Sequence, residues 1–275
     1  SFALWVASLL TQGKGFDENG NIIQINPVNV VYQTAEDGLA DTVKPRLLAA
    51  GADCSKVKVI DDSEKSLYMD DERLEMALKE TGAKLLILDP LQAYLGDRVD
   101  MNRANEAREM TKKLGAMAER TGCAVILIGH MNKGSGVKAA YRGIGSIDFF
   151  AIARSVLLVA RVPDDSTLRA VAQIKCNLAV EGSTMAFRLD ETGVNWIGEY
   201  DISADELLAG SSNGDKYKVA KDLLNKILSD GKEVPVSTVI MQAKAIGVSK
   251  RTLENVKREL GVKSIKYGAT WLWKM

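Results

Sequence analysis

The sequence predicts an α/β protein with a central, mostly parallel sheet, followed by a C-terminal winged helix-turn-helix domain. Three observations predict this. Lys84-Leu-Leu-Ile-Leu-Asp89 is an apolar run that ends abruptly in a carboxylate. It lacks the alternation of a half-buried strand, so helices are expected to cover both of its faces. Strand and helix patterns then alternate from Phe2 to His130, as in a parallel sheet with crossover helices. Beyond Lys218 the texture changes again, to three helical patterns and two strand patterns that meet across Gly268.

In chain order, Phe2 to Thr11 has helical spacing and is too apolar to be solvated, so it reads as a buried helix. Asn29 to Gln33 is a short strand, and a helix runs from Thr34-Ala-Glu-Asp37 to Ala50 with a bend at Pro45. A strand over Val57–Ile60 and a helix over Asp70–Thr81 precede the Asp89 strand. A long helix from Asn102 to Arg120 leads to the strand Ala124-Val-Ile-Leu-Ile-Gly-His130. Ser155–Arg161, Arg169–Lys175 and Thr184–Arg188 then read as strands joined by short turns, a meander that finishes the sheet. Leu208-Ala-Gly-Ser-Ser-Asn-Gly-Asp215 has linker composition. The expected domains are residues 1–207 and 216–275, joined by 208–215.

In the tail, helices are expected over Lys218–Leu228 and Val236–Ile246, the second ended by Gly247. Ser249 caps a third running to Leu260. Val262–Gly268 and Thr270–Lys274 pair as a hairpin, which completes a winged helix pattern.

The 275 residues suffice for one large core and a small one. The formal net charge of zero hides an asymmetry. Residues 1–211 hold 23 Lys/Arg against 30 Asp/Glu, whereas 212–275 hold 13 against 6, a net of +7. A basic tail implies an anionic partner. The three cysteines, Cys54, Cys123 and Cys176, form no CxxC pair, which points to a reducing cytoplasm and no structural metal. No apolar run reaches the roughly 18 residues of a membrane helix. Phe2–Leu10 lacks the basic flank and cleavage site of a signal peptide.

Ligands of parallel sheets sit outside the carboxyl ends of the strands, where Asp89 and the only histidine, His130, emerge. The plain alternative for Asp89 is a carboxylate capping a turn before Pro90. Phosphate transfer needs a glycine cradle, a lysine, a hydroxyl on Mg²⁺ and a carboxylate near the metal. Gly13-Lys14-Gly15 has the wrong spacing for the cradle and follows a helix instead of preceding one. Ser1 runs directly into an apolar helix, as does the last residue of GxxxxGK[ST], so the chain is expected to start just after the phosphate-binding lysine.

Several blocks carry a family resemblance. Val30-Val-Tyr-Gln-Thr-Ala-Glu-Asp37, Lys44-Pro-Arg-Leu47, Ala49-Ala-Gly-Ala-Asp53 and Leu86-Ile-Leu-Asp-Pro-Leu91 come first. Thr121-Gly-Cys123, Ile128-Gly-His-Met-Asn-Lys-Gly134 and Tyr141-Arg-Gly-Ile-Gly-Ser146 follow. In this order they resemble the RepA-type hexameric replicative helicases, RecA/DnaB-like P-loop ATPases of plasmids, phages and mobile elements. The resemblance spans roughly residues 1–190 and implies ATP and Mg²⁺ as cofactors.

Position by position, Ser1 resembles the phosphate-loop hydroxyl that ligates Mg²⁺, and Asp89 the Walker B aspartate. Glu36 matches the carboxylate that polarises the attacking water; as an acid in a helix's first turn it would be stabilised by the dipole in any case. His130 resembles the sensor that links γ-phosphate state to a DNA loop. Lys133 and Lys138 lie in that loop, facing a ring channel and single-stranded phosphates. Arg142 matches the arginine that reaches a neighbouring subunit's nucleotide. Lys175 resembles a strand-borne cation at the same interface. DnaB-type enzymes carry an arginine two residues beyond that lysine, where this chain has Asn177.

In the tail, Lys250, Arg251, Asn255, Lys257 and Arg258 populate the outer face of the recognition-helix position, and Lys263, Lys266 and Tyr267 the wing. Trp271 and Trp273 read as core of the small domain. The implied function is a ring-forming ATP-dependent DNA translocase of mobile-element replication. Its expected partners are single-stranded and, secondarily, double-stranded DNA and further copies of itself, as a hexamer. The alternatives are a non-translocating DNA-binding loader or regulator that hydrolyses ATP, and a relic without activity. The polypeptide starting at Ser1 is expected to hydrolyse ATP poorly by itself.

Overall fold

A computed structural model describes residues 1–96, 104–130, 147–163, 165–190, 193–209, 214–268 and 270–275. They form two compact units, one of residues 1–161 with 167–204 and one of residues 162–166 with 205–275.

In the first unit, α1 (Phe2–Thr11) is capped by Ser1, whose Oγ accepts from the Leu4 amide at 3.4 Å. A hairpin of β1 (Lys14–Phe16) and β2 (Ile22–Gln24) follows, its turn closed by Asp17 accepting from the amides of Asn19 and Asn21. Then come β3 (Val30–Thr34), α2 (Lys44–Ala49), β4 (Val57–Lys58), α3 (Glu72–Thr81) and β5 (Leu85–Asp89). Next are α4 (Ala104–Thr121), β6 (Ala124–Leu127) and α5 (Ile147–Ile152). Last are β7 (Ser155–Val162), whose final residue falls in the second unit, then β8 (Asp165–Cys176), β9 (Met185–Asp190) and β10 (Gly193–Glu199).

The parallel sheet has the order β4-β3-β5-β6. Its central strand explains the run that predicted it. Leu86 and Leu88 point into one core with Val31, Leu74 and Leu78 of α3 and Leu114 and Met117 of α4. Leu85 and Ile87 point into another with Val30, Tyr32, Leu4 and Ala7 of α1 and Leu47 of α2. Both faces of β5 are dry, so selection for polarity acts on neither.

Four expectations change. The chain does not pass from Thr34 straight into a helix: a π-type turn spans Leu39–Val43, and α2 begins only at Lys44. Pro45 sits in the first turn of α2, where its missing N–H interrupts no ladder, so it starts the helix instead of bending it. The strand at Val57 stops at Lys58, because the buried Gln33 amide takes over both backbone groups of Ile60, at 2.8 and 3.0 Å. The meander does not finish the parallel sheet. Among the described residues β7 to β10 form their own antiparallel sheet, of order β10-β9-β8-β7, and β7 alternates between buried and open positions over most of its length.

Neither β10 nor the β1–β2 hairpin was expected. Trp196 of β10 donates from Nε1 to the Gly20 carbonyl at 2.9 Å, holding the hairpin turn against this second sheet. A Cβ at Gly20 would lie 2.6 Å from the Met185 side chain, so the contact requires glycine. Phe2, Trp5, Phe16 and Phe187 gather around Trp196, with ring centroids 5.4 Å from Trp5 and 5.1 Å from Phe16. Helix α1 is apolar all round because one side faces the parallel sheet and the other this aromatic cluster.

Arg120 of α4 donates to both carboxylate oxygens of Glu75 on α3, at 3.1 and 2.6 Å. The Arg120 guanidinium, with Lys79 second, pulls the Glu75 carboxyl down to about 2. A carboxyl depressed in the folded state stabilises above its ordinary range and loses that contribution as pH falls towards the folded value. Glu75→Gln is therefore expected to lower the urea midpoint at neutral pH, and the difference from the parent should shrink between pH 4.5 and 2. A difference that is constant across that window would show that the ion pair contributes nothing.

The second unit contains α6 (Ala204–Ala209), α7 (Gly214–Leu228), β11 (Val234–Pro235), α8 (Val236–Ala245), α9 (Lys250–Glu259), β12 (Lys263–Tyr267) and β13 (Thr270–Lys274). The strands form an antiparallel sheet of order β11-β13-β12. Leu224, Leu228, Val239, Leu253, Val256 and Trp273 make its core. Ser249 caps α9 by accepting from the Thr252 amide at 3.1 Å. Gly268, at φ +59°, turns the β12–β13 hairpin.

Candidate functional site

The parallel register brings Thr34 opposite Asp89, and the Ala35 amide donates to the Asp89 carbonyl at 3.1 Å. The chain therefore leaves both central strands at the same height. The Tyr32 hydroxyl donates to Asp89 Oδ2 at 2.8 Å from the adjacent strand. Tyr32 is fully buried, and burial, together with the Asp89 bond and charge, pushes its phenol well above the ordinary range. It thus stays a donor at any working pH. Among the described residues Asp89's side chain has this one hydrogen-bond partner, which fixes the carboxylate and leaves Oδ1 for a ligand.

Glu36 stands just beyond the end of β3, and His130 follows the β6 segment. Glu36 Oε2 lies 3.5 Å from His130 Nε2, and both side chains are more than half exposed. His130 is therefore three residues past the end of β6, in an open position, and not at the last ladder residue. Next to Glu36, Asp37 accepts from Arg46 of α2 at 2.9 Å. The start of α1 completes the group. Burial, then the Arg46 guanidinium, pushes the Ser1 amino group below its ordinary value, while Asp37 and Asp89 act the other way. Ser1, Glu36, Asp37, Arg46, Asp89 and His130 thus share the carboxyl-end side of the sheet. Sequence reading gave Arg46 no role, although the Lys44–Leu47 block contains it. Its proximity to Asp37 depends on the π-type turn, which has no sequence signature.

Other expected residues sit elsewhere. Lys133, Lys138 and Arg142 lie outside the described residues. Lys175 donates to the carbonyls of Phe150 and Ala151 at 2.9 and 2.5 Å, in the last turn of α5, with its ammonium 5.6 Å from the Phe150 ring centre. A lysine there satisfies open carbonyls at the negative end of a helix, a structural use that the expected nucleotide contact did not include. On α9, Lys250 and Arg258 are exposed, and Arg251 donates to the Pro163 carbonyl at 3.4 Å. Lys257 departs from its expected exposed position. Its Nζ is 2.7 Å from Ser264 Oγ and 4.8 Å from the Trp273 ring centre, and its side chain is 19% exposed.

Residues 1–136 match the family model described as an AAA domain. No curated protein matches the sequence. Solved structures similar to the chain include the RadB recombinase, at 18% identity and TM-score 0.45 over 62% of this chain and 79% of that one. A second solved structure, itself an isolated ATPase domain, is similar at 14% identity and TM-score 0.47, over 62% of this chain and 75% of that one. The matched region contains Ser1, Glu36, Asp89 and His130 around an open parallel sheet. Fold and family match together define the class as an α/β ATPase core of the RecA-like kind.

Such a core implies nucleotide with Mg²⁺, and the donors present fit that pair. Among the described residues no three His, Cys, Asp or Glu gather to hold a metal by themselves. Mg²⁺ bound with phosphates needs only one or two carboxylates, because substrate oxygens and water fill the other positions. Asp89, with one oxygen fixed and one open, supplies a single hard ligand of that type. Removing the tyrosine hydroxyl in Tyr32→Phe frees the carboxylate to rotate. Binding of Mn²⁺ as a Mg²⁺ substitute in the presence of an ATP analogue, followed by electron paramagnetic resonance, is expected to weaken roughly 10- to 100-fold. Unchanged Mn²⁺ affinity would show that Tyr32 does not position Asp89.

Proposed function

We propose that this chain is the motor core of a ring-forming, ATP-dependent DNA translocase of the RepA-like helicase type, acting in mobile-element replication. The observation that carries the reading is the placement of Glu36 and His130 3.5 Å apart beside the Tyr32-held Asp89, where the two central strands end. Asp89 and the Ser1 hydroxyl would hold Mg²⁺, which neutralises developing phosphate charge when it is bound. Glu36 takes the proton of the water that attacks the γ-phosphate. His130, in contact range of Glu36, reports the phosphate's presence to the segment that follows it, which contains Lys133 and Lys138. Arg142 serves a neighbouring subunit's nucleotide in a homohexamer, and Lys175 supports the same interface.

The tail is read as a winged helix, with α9 as recognition helix and β12–β13 as wing. Its exposed Lys250 and Arg258, with Arg251 and Lys257 next to them, give DNA a basic face. The reading is tested by strand separation on a forked duplex. The intact protein is expected to separate strands with ATP and not with a non-hydrolysable analogue. ATP hydrolysis stimulated by DNA but without strand separation would favour a non-translocating loader.

A further inference from the structure

Two tryptophans of β13 were expected in the core, and only one is there. Trp273 is 2% exposed and Trp271 51% exposed, although they stand two residues apart and so share a face of the strand. The register pairs Ser264 with Trp273 and Lys266 with Trp271, which makes a row of four side chains on that face. Helix α9 closes the inner half, since Lys257 lies over the Trp273 ring and bonds Ser264. The outer half extends past this cover. There Lys266 Nζ lies 5.8 Å from the Trp271 ring centre, and both residues are exposed.

We infer that the Trp271–Lys266 face of the wing is a stacking site for unpaired bases of a single-stranded nucleic acid. The inference rests on the proposed DNA-binding role of the tail and narrows it to one strand state. An indole presents a flat apolar surface that any base can cover, and the adjacent ammonium meets the phosphate of the same strand. Within a duplex the base faces are already stacked and only edges and phosphates are offered, so the indole has nothing to cover there. The +7 balance of residues 212–275 suits a polyanion. The same face continues to α9, whose Arg258 is exposed, so a strand has a basic surface next to the platform.

The test uses the full chain, with fluorescence anisotropy of a labelled oligothymidylate and of a blunt mixed-sequence duplex. Trp271→Ala is expected to lower oligothymidylate affinity about 5- to 100-fold and to leave duplex affinity unchanged, while Trp271→Phe retains most binding. Retention by the phenylalanine variant separates stacking from damage to the fold. Equal oligothymidylate affinity in Trp271→Ala, or equal loss on both probes, overturns the inference. If Lys250→Ala and Arg258→Ala leave duplex binding intact while Trp271→Ala releases oligothymidylate, the recognition-helix reading fails and the stacking site stands. A parent protein that binds neither probe overturns both.

Discussion

In the intact protein, Glu36→Gln is expected to lower ATP turnover roughly 100- to 10,000-fold, the range that a positioned proton acceptor contributes. Glutamine keeps the size of glutamate and its hydrogen bonding to His130 but cannot accept the proton of an attacking water. The side chain is 64% exposed, so the substitution should leave stability within about 0.5 kcal/mol of the parent. Equilibrium binding of a fluorescent ATP analogue should therefore be preserved while phosphate release collapses. Turnover within a few-fold of the parent would remove Glu36 from the base role and pass attention to Asp37, which follows it in the chain.

Leu86→Ala is expected to destabilise the first unit by about 2–5 kcal/mol, read as a lowered urea midpoint. Leu86 is fully buried on the central strand, in the core shared with α3 and α4. A cavity there has helices on one side and the sheet itself on the other, so little can relax into it. Leu157 of β7 provides the contrast. It is 53% exposed, and Leu157→Ala should cost no more than about 0.5 kcal/mol. Similar losses in both variants would mean that the parallel sheet is not the stability-determining core.

The parts legible in the sequence were those fixed by local pattern. A strand dry on both faces must be continuously apolar, and its first polar residue must mark its end, so Asp89 could be placed from the sequence alone. Glu36 and His130 followed from the same rule on neighbouring segments. The tail helices were legible because Ser249 and Gly247 punctuate them. What sequence did not reveal depends on partners distant in the chain. Lys257 reads as solvated on a helical wheel, and only the hairpin brings Ser264 and Trp273 to it. Lys175 reads as a free cation until α5 offers its carbonyls. Trp271 and Trp273 have the same local pattern and differ only in where α9 ends above them. The β1–β2 hairpin escaped notice because all three residues of β2 are exposed, so burial imposes no periodicity on that strand.

The most direct measurement is a crystal structure of the intact protein with Mg²⁺ and a non-hydrolysable ATP analogue. The γ-phosphate should lie between Glu36 and Asp89, with the metal on Asp89 Oδ1, Tyr32 still bonded to Oδ2, and His130 within reach of the phosphate oxygens. A nucleotide bound away from the ends of β3 and β5, or one that leaves Asp89 and Glu36 without contact to phosphate, metal or water, would contradict the assignment of this site.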